Sequence, residues 1–198
     1  MKSDYMKPEN YAKLFVFMSY ENTLAVRVSL ETGLRIGDVL KLQPGDLERR
    51  TITYTAGKTG KAGRAVISQD LANRLRQISG TNYIFSNRTD PEKHRSRQAV
   101  WRDVKRAAGA LRAAGLISGE NISPHSARKT FAVSDMEKYG LTHTQKALQH
   151  RDKATTKLYA FSDKYITDDK MGIVLAQILA KINQIMDVLA SFGNPNNK

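Results

Sequence analysis

Two arginines, a lysine, two histidines and a tyrosine give this chain the residue types that act on phosphate groups. In chain order they are Arg35, Lys58, His125, Arg128, His150 and Tyr159. An arginine fork holds a phosphate through two parallel N–H···O bonds and keeps its charge. A tyrosine phenol becomes a nucleophile when a base and nearby cations favour its ionised form. Taken alone, each of these residues is typical of a surface charge or a packed ring. Only the ordered set of six in one basic chain indicates a site that acts on phosphate.

The net charge narrows the class of partner. The chain has 198 residues, with 32 Lys and Arg against 19 Asp and Glu, a formal charge of +13. This length fits one domain with a proper core, and the charge indicates a polyanionic partner. Charge alone fits nucleic acid, acidic lipid or an acidic protein equally, and also a solubilising surface. The absence of cysteine, of a charged-then-apolar leader and of long aliphatic runs predicts a cytoplasmic chain without a membrane span.

Helices and one hairpin are predicted to position these residues in the first half. Apolar residues recur at three and four over 7–20 and 22–31, with Asn22 suited to an N-cap and Gly33 to a C-terminal stop. A short helix is expected through RIGDVLKL. The alternating stretches TITYTA and RAVIS, separated by GKTGKAG, predict an antiparallel hairpin with a flexible basic tip.

The second half is predicted to be helical at 71–78, at about 98–114 and after Ser123. Ser123 is the expected N-cap, Pro124 lies in the first turn, and Gly140 lies past the end. His125 and Arg128 therefore fall in the opening turns of this helix. The predicted fold class is mainly α with a small antiparallel β-hairpin, or α+β.

The segment from Thr167 to about Ser191 has a different pattern. Six apolar residues follow alternating steps of four and three, which is a heptad seam: Met171, Leu175, Ile178, Ile182, Ile185 and Leu189. The seam is too short to establish a coiled coil. Packing against the domain's own core is slightly favoured, and a contact between protomers is the alternative.

Four stretches together resemble a known family: TGLRIGDVLKLQPGDL, the GKTGK hairpin, PHSARKTFA and LQHRDKATTKLYA. In order and spacing they are similar to the active-site boxes of the tyrosine recombinase, or phage integrase, family. The resemblance runs from about Lys7 to Tyr165, so we expect a catalytic domain at 1–165 and a C-terminal helix and tail at 166–198. Gln149 departs from the pattern, because the family usually has glycine before the histidine. The family's N-terminal clamp domain has no room here, so we expect a single-domain member or the catalytic part of a longer protein.

The resemblance implies a site-specific recombinase or integrase that cuts and rejoins DNA through a covalent 3′-phosphotyrosine, with no metal, ATP or other cofactor. Tyr159 would be the nucleophile, and Arg35 and Arg128 would clamp the phosphate. His125 would act as general acid or base, and His150 would donate a further hydrogen bond.

Lys58, on the hairpin, is the expected proton donor to the leaving 5′-oxygen, with Lys61 less favoured. Asp38 is expected to orient an arginine or to cap a turn. Tyr165 competes with Tyr159 but lies too far past His150. The other two histidines, His94 and His143, match no box, and a zinc site built from histidines lacks recognisable ligand spacing.

Double-stranded DNA is the expected partner, with four protomers on two duplexes and a contact through 171–189. A set of basic residues is predicted to follow the DNA backbone: Arg64, Arg95, Arg97, Arg102, Lys105 and Arg106. Two alternatives remain open. One is a type IB topoisomerase, which relaxes DNA without a specific site, and the other is a non-catalytic DNA-binding excision regulator that kept the fold.

Overall fold

The computed structural model describes residues 3–117 and 121–149. His150, Tyr159, Tyr165 and the heptad seam lie outside the described residues. Six α-helices, three strands and one 3₁₀ turn at Pro44–Asp46 are found in these ranges: α1 Asn10–Val16, α2 Tyr20–Thr32, α3 Ile36–Val39, β1 Leu47–Glu48, β2 Thr51–Thr55, β3 Ala62–Val66, α4 Gln69–Ile78, α5 Arg97–Ala113 and α6 Pro124–Ala147. The strands form one antiparallel sheet in the order β1-β2-β3. The predicted fold class, mainly helical with a small antiparallel sheet, is confirmed.

Helix α2 packs against α6 and carries part of the core. Leu24 and Val28 of α2 and Ala127 and Ala132 of α6 are no more than 1% exposed. Each fully buried Leu or Val side chain contributes about 1.5–3 kcal/mol to folding. The helix pair therefore gives the residues at its ends a rigid base. In the part of the chain that the structure describes, no helix is long and apolar enough to cross a membrane.

The start of α2 differs from the prediction. Ser19 is the N-cap, with φ −65° and ψ 148°. Asn22 lies inside the helix, 3% exposed, where its amide donates a hydrogen bond to Asp103 Oδ2 at 2.8 Å. The N-cap prediction for Asn22 was wrong because its side chain has a partner on α5 instead of its own backbone.

The end of α2 is as predicted. Gly33 follows the helix with φ 70°, the left-handed conformation in which glycine has no Cβ penalty. The chain reverses there, and Arg35 becomes the N-cap residue of α3. Gly33 therefore ends α2 two residues before Arg35.

The predicted hairpin is β2 and β3. Tyr54 pairs with Gly63 and Thr53 with Arg64. Strand β1 was not predicted, since two residues are too few to show an alternating pattern. The tip of the hairpin carries Lys58 between Gly57 and Thr59.

Helix α6 begins with a local capping arrangement. The hydroxyl of Ser123 accepts a hydrogen bond from the His125 N–H at 3.2 Å, and the Ser123 N–H donates to Ser126 Oγ at 3.1 Å. This confirms the N-cap prediction. The helix was predicted to end before Gly140. This glycine, at φ 80°, interrupts the helical backbone of α6 at that point.

Candidate active site

Arg128 is held where the end of α2 meets the end of α6. The side chain is 2% exposed. Its Nη1 donates to the Gly33 carbonyl oxygen, and its Nη2 donates to the Leu148 carbonyl oxygen at 2.8 Å. Carbonyls at helix C-termini carry partial negative charge and lack intrahelical partners. The guanidinium is therefore fixed in orientation.

His125 lies one turn before Arg128 and is half-buried. Burial first, and then the positive charges of Arg128, Lys129 and Arg35 in that order, together lower the pKa of its imidazole from 6.5 to about 4. His125 is therefore neutral at pH 7.

These four residues, Arg35, His125, Arg128 and Lys129, form the cationic cluster. The structure brings together three residues predicted from separate parts of the sequence. Lys129 was not predicted, although it is 2% exposed and its charge acts on His125. Its place directly after Arg128 in ARK was the available signal, but a second cation in a helix usually lies on the surface.

The hairpin tip is attached on both sides of Lys58. The Gly57 N–H donates to Asp38 Oδ1 at 3.1 Å, and the Thr59 hydroxyl donates to Gln149 Oε1 at 3.3 Å. Asp38 thus caps a turn, which was one of its two expected roles. Lys58 itself is exposed.

Tyr54 shows that the hairpin lies close to the cationic cluster. Burial raises the pKa of its hydroxyl, while the hydrogen bond from Gln149 and the charge of Arg128 lower it and Asp38 raises it. Tyr54 therefore lies within electrostatic reach of Arg128. Sequence reasoning missed Tyr54 because an alternating strand shows which face a residue is on and not what covers that face.

Two open cavities flank these elements. A groove of about 670 Å³ runs along the hairpin and is lined by Asp38, Tyr54 and Arg64 among others. A second cavity of about 280 Å³ is lined by Ile36, Trp101 and His125 among others. Both offer open space for an extended ligand beside Asp38 and His125.

Three residues of the predicted DNA-binding set lie on the surface. Arg64 is exposed on β3 and lines the larger groove. Arg97 and Arg102 are exposed on α5. Their charges are available to a polyanion.

The other three have protein partners. Arg95 is 7% exposed, and its Nε donates to Asn22 Oδ1 at 2.5 Å. Lys105 donates to Asn121 Oδ1 and lies 5.7 Å from the ring centroid of Trp101. Arg106 is exposed but donates to Asp103 Oδ1 at 2.6 Å. Because these three charges have protein partners, the surface that we propose below for DNA uses only Arg64, Arg97 and Arg102.

The two histidines outside the predicted boxes have local partners. His94 Nδ1 lies 2.8 Å from the Arg95 carbonyl oxygen, and His143 Nδ1 lies 2.9 Å from Asp135 Oδ2. Among residues 3–117 and 121–149, no three His, Asp or Glu side chains are grouped in a way that could hold a metal ion.

A known protein family matches most of this sequence. The model of the Phage integrase family matches residues 4–165. A search of curated proteins with this sequence gave no match.

Solved structures have a similar fold. XerH site-specific recombinase bound to palindromic difH substrate is 22% identical with a TM-score of 0.64, and the match covers 81% of this chain and 49% of that one. A lambda integrase dimer bound to a COC′ core site is 20% identical with a TM-score of 0.66, covering 81% and 48%. The catalytic domain of bacteriophage HP1 integrase is 20% identical with a TM-score of 0.59, covering 82% and 90%. At this identity the likeness is one of fold, and the chain spans about half the length of the first two proteins.

Proposed function

Since the chain belongs to the phage integrase family, we propose that it is a site-specific DNA recombinase that cuts and rejoins strands through a covalent 3′-phosphotyrosine. The observation that carries this proposal is the cationic cluster, in which Arg35 and Arg128, 93 residues apart in the sequence, both act on His125. Two buried cations, Arg128 and Lys129, and the half-buried Arg35 beside a neutral imidazole suit a phosphodiester, whose transition state gathers charge on the non-bridging oxygens.

The arginines would stabilise that charge. Arg128 is already oriented by the carbonyls of Gly33 and Leu148, so little reorganisation is needed when the phosphate arrives. Arg35 leaves the helix pair at the N-cap of α3 and brings the second charge. Removing one such donor from an oxyanion site costs about 10²–10³ in rate.

The proton transfers follow from the remaining side chains. Tyr159 Oη attacks the phosphorus, and the bond from phosphorus to the 5′-oxygen breaks. The phenol proton passes to neutral His125, and Lys58 gives a proton to the leaving 5′-oxygen. The products are a 3′-phosphotyrosyl bond and a free 5′-hydroxyl, and the reverse steps rejoin the strand without ATP. His150 would donate a hydrogen bond to the same phosphate.

Double-stranded DNA in the cytoplasm is the proposed partner. The exposed Arg64, Arg97 and Arg102 would contact its phosphates, which gives affinity and salt dependence without sequence readout. Four protomers would act on two duplexes, with segment 171–189 as the proposed contact. The proposed catalytic domain is 1–165, followed by a helix and tail at 166–198.

A covalent trap tests this function. The protein is incubated with a library of nicked duplexes, in which loss of the short strand prevents rejoining, and is then denatured in SDS. We expect a protein–DNA adduct with one enriched sequence, absent in Tyr159→Phe and retained in the matched control Tyr165→Phe. Adducts that persist in Tyr159→Phe would refute the nucleophile.

The same protein, assayed also on supercoiled plasmid and for DNA binding, separates the alternatives. Relaxation of supercoiled plasmid without sequence enrichment would identify a topoisomerase. Tight DNA binding that gives no adduct and is indifferent to Tyr159→Phe would identify a non-catalytic regulator.

A further inference from the structure

Gln149 has a backbone conformation that is unfavourable for a residue with a Cβ. Its φ is 52°, in the left-handed region, which costs a residue with a Cβ about 1–2 kcal/mol relative to the right-handed form. The residue follows directly on Leu148, the C-cap of α6, where glycine is the usual choice. A glutamine at this position therefore needs a reason in its side chain.

The side-chain amide of Gln149 bonds only to the hairpin among the contacts that the structure gives it. Its Nε2 lies 3.4 Å from the Tyr54 hydroxyl and 3.5 Å from the Ala62 carbonyl oxygen. Its Oε1 accepts from the Thr59 hydroxyl at 3.3 Å. These bonds are long, but they reach β2, the tip and β3 at once.

Gly63 supports the same contact from the hairpin side. A Cβ at this position would lie 2.6 Å from Tyr54 Cζ and 2.7 Å from Gln149 Nε2. Gly63 is the cross-strand partner of Tyr54, so the missing side chain leaves the space that the tyrosine ring and the glutamine amide occupy. The fit therefore involves two separate parts of the chain.

The contact reaches the hairpin next to Lys58. Asp38 holds Gly57 on one side, and Gln149 holds Thr59 on the other. Gln149 also follows Leu148, whose carbonyl orients Arg128. We propose that Gln149 is a positioning residue that holds the hairpin against the end of α6, so that Lys58 lies ready to protonate the leaving 5′-oxygen. The role of Lys58 in this inference rests on the proposed function. The docking of the hairpin by Gln149 does not.

Gln149→Gly tests the docking without any reaction. Glycine relieves the left-handed backbone, so the melting temperature should not fall. Removal of the amide should raise the population of the open hairpin. Hydrogen exchange in peptides covering 54–66 should therefore become roughly tenfold faster. Arg49→Gly is the matched control, because Arg49 has φ 51° in the turn between β1 and β2. Unchanged exchange in Gln149→Gly would overturn the inference.

A change of leaving group tests the effect on Lys58. The trapped duplex is prepared with either oxygen or sulfur at the 5′ bridging position of the scissile phosphate. A thiol, with a pKa near 8.5, leaves without a proton, whereas a general acid contributes about 10²–10⁴ to departure of the alcohol. We expect Gln149→Gly to cleave the oxygen duplex roughly tenfold more slowly than the wild type and the sulfur duplex at the wild-type rate. Lys58→Ala should show the same selectivity.

Equal losses on both duplexes, or no loss, would overturn the positioning of Lys58. Gly63→Ala provides a second variant that displaces the amide without changing residue 149, and it should show the same pattern. If the wild type cleaves neither duplex, the proposed function fails, and hydrogen exchange alone decides whether Gln149 docks the hairpin.

Discussion

The lowered pKa of His125 should make the folded protein less stable as the pH falls below 6.5. Its pKa is about 4 in the folded protein against 6.5 in the unfolded chain, chiefly because of burial and then because of the neighbouring cations. Below pH 6.5 the unfolded state therefore binds a proton that the folded state does not. The contribution to stability is complete above 6.5, is lost progressively as the pH falls towards 4, and then stays constant.

The size of the effect follows from this window. Between pH 7 and pH 5 the unfolded state gains most of one proton over about 1.5 pH units, which at 1.36 kcal/mol per unit is about 2 kcal/mol. For a domain of this size the melting temperature should fall by about 4–8 °C from this group alone. Carboxylates add their own losses at lower pH, so a variant must isolate the histidine.

Urea unfolding of the wild type and of His125→Gln at pH 7, 6 and 5 measures the difference. The wild type should lose about 2 kcal/mol more than the variant across this range. NMR titration gives a second readout, because the chain has four histidines and the variant assigns one resonance. Parallel stability profiles, or a His125 pKa above 6, would refute the burial and cation arrangement described here.

Three further substitutions test the surroundings of the site. Gly33→Ala should destabilise the protein by about 3 kcal/mol, because φ is 70° and the new Cβ would lie 2.8 Å from Leu148 Cδ2; thermal unfolding measures this. Asp103→Ala should cost about 3 kcal/mol, since it leaves the Ser19 and Asn22 donors without their acceptor; urea unfolding measures this. Arg64→Ala should reduce the slope of log K against log salt by about 1 without changing the melting temperature.

Matched controls make these results specific. Gly45→Ala places a Cβ with nothing within 4 Å, so it should leave stability nearly unchanged. Asp90→Ala removes a surface carboxylate paired with Lys93, which should leave stability nearly unchanged. A loss in Gly33→Ala or Asp103→Ala no larger than in its control would contradict the packing, and an unchanged salt slope in Arg64→Ala would remove this residue from the DNA surface.

Local interactions explain most of the successful predictions. Ser123 caps α6 through hydrogen bonds with His125 and Ser126, two and three residues away. The positive φ at position 33 favours glycine there. The alternating strands and the glycine-rich tip define the hairpin in the same way. His150 and Tyr159 stay predictions, because they lie outside the described residues.

The failures concern contacts between distant parts of the chain. Asn22 has a good N-cap side chain, yet Asp103 takes its amide. The burial of Arg95 against Asn22 was missed in the same way, and its place among the DNA-binding residues stays a prediction. No local pattern encodes either partner.

The sequence by itself determined the family and the fold class, because short-range periodicity, caps and motif order record them. Only the tertiary structure decided that Lys129 joins the cationic cluster, that the pKa of His125 is lowered, and that the side chain of Gln149 contacts the hairpin. These properties depend on burial and on distances between side chains from different elements, and both arise only when the helices and the sheet pack together.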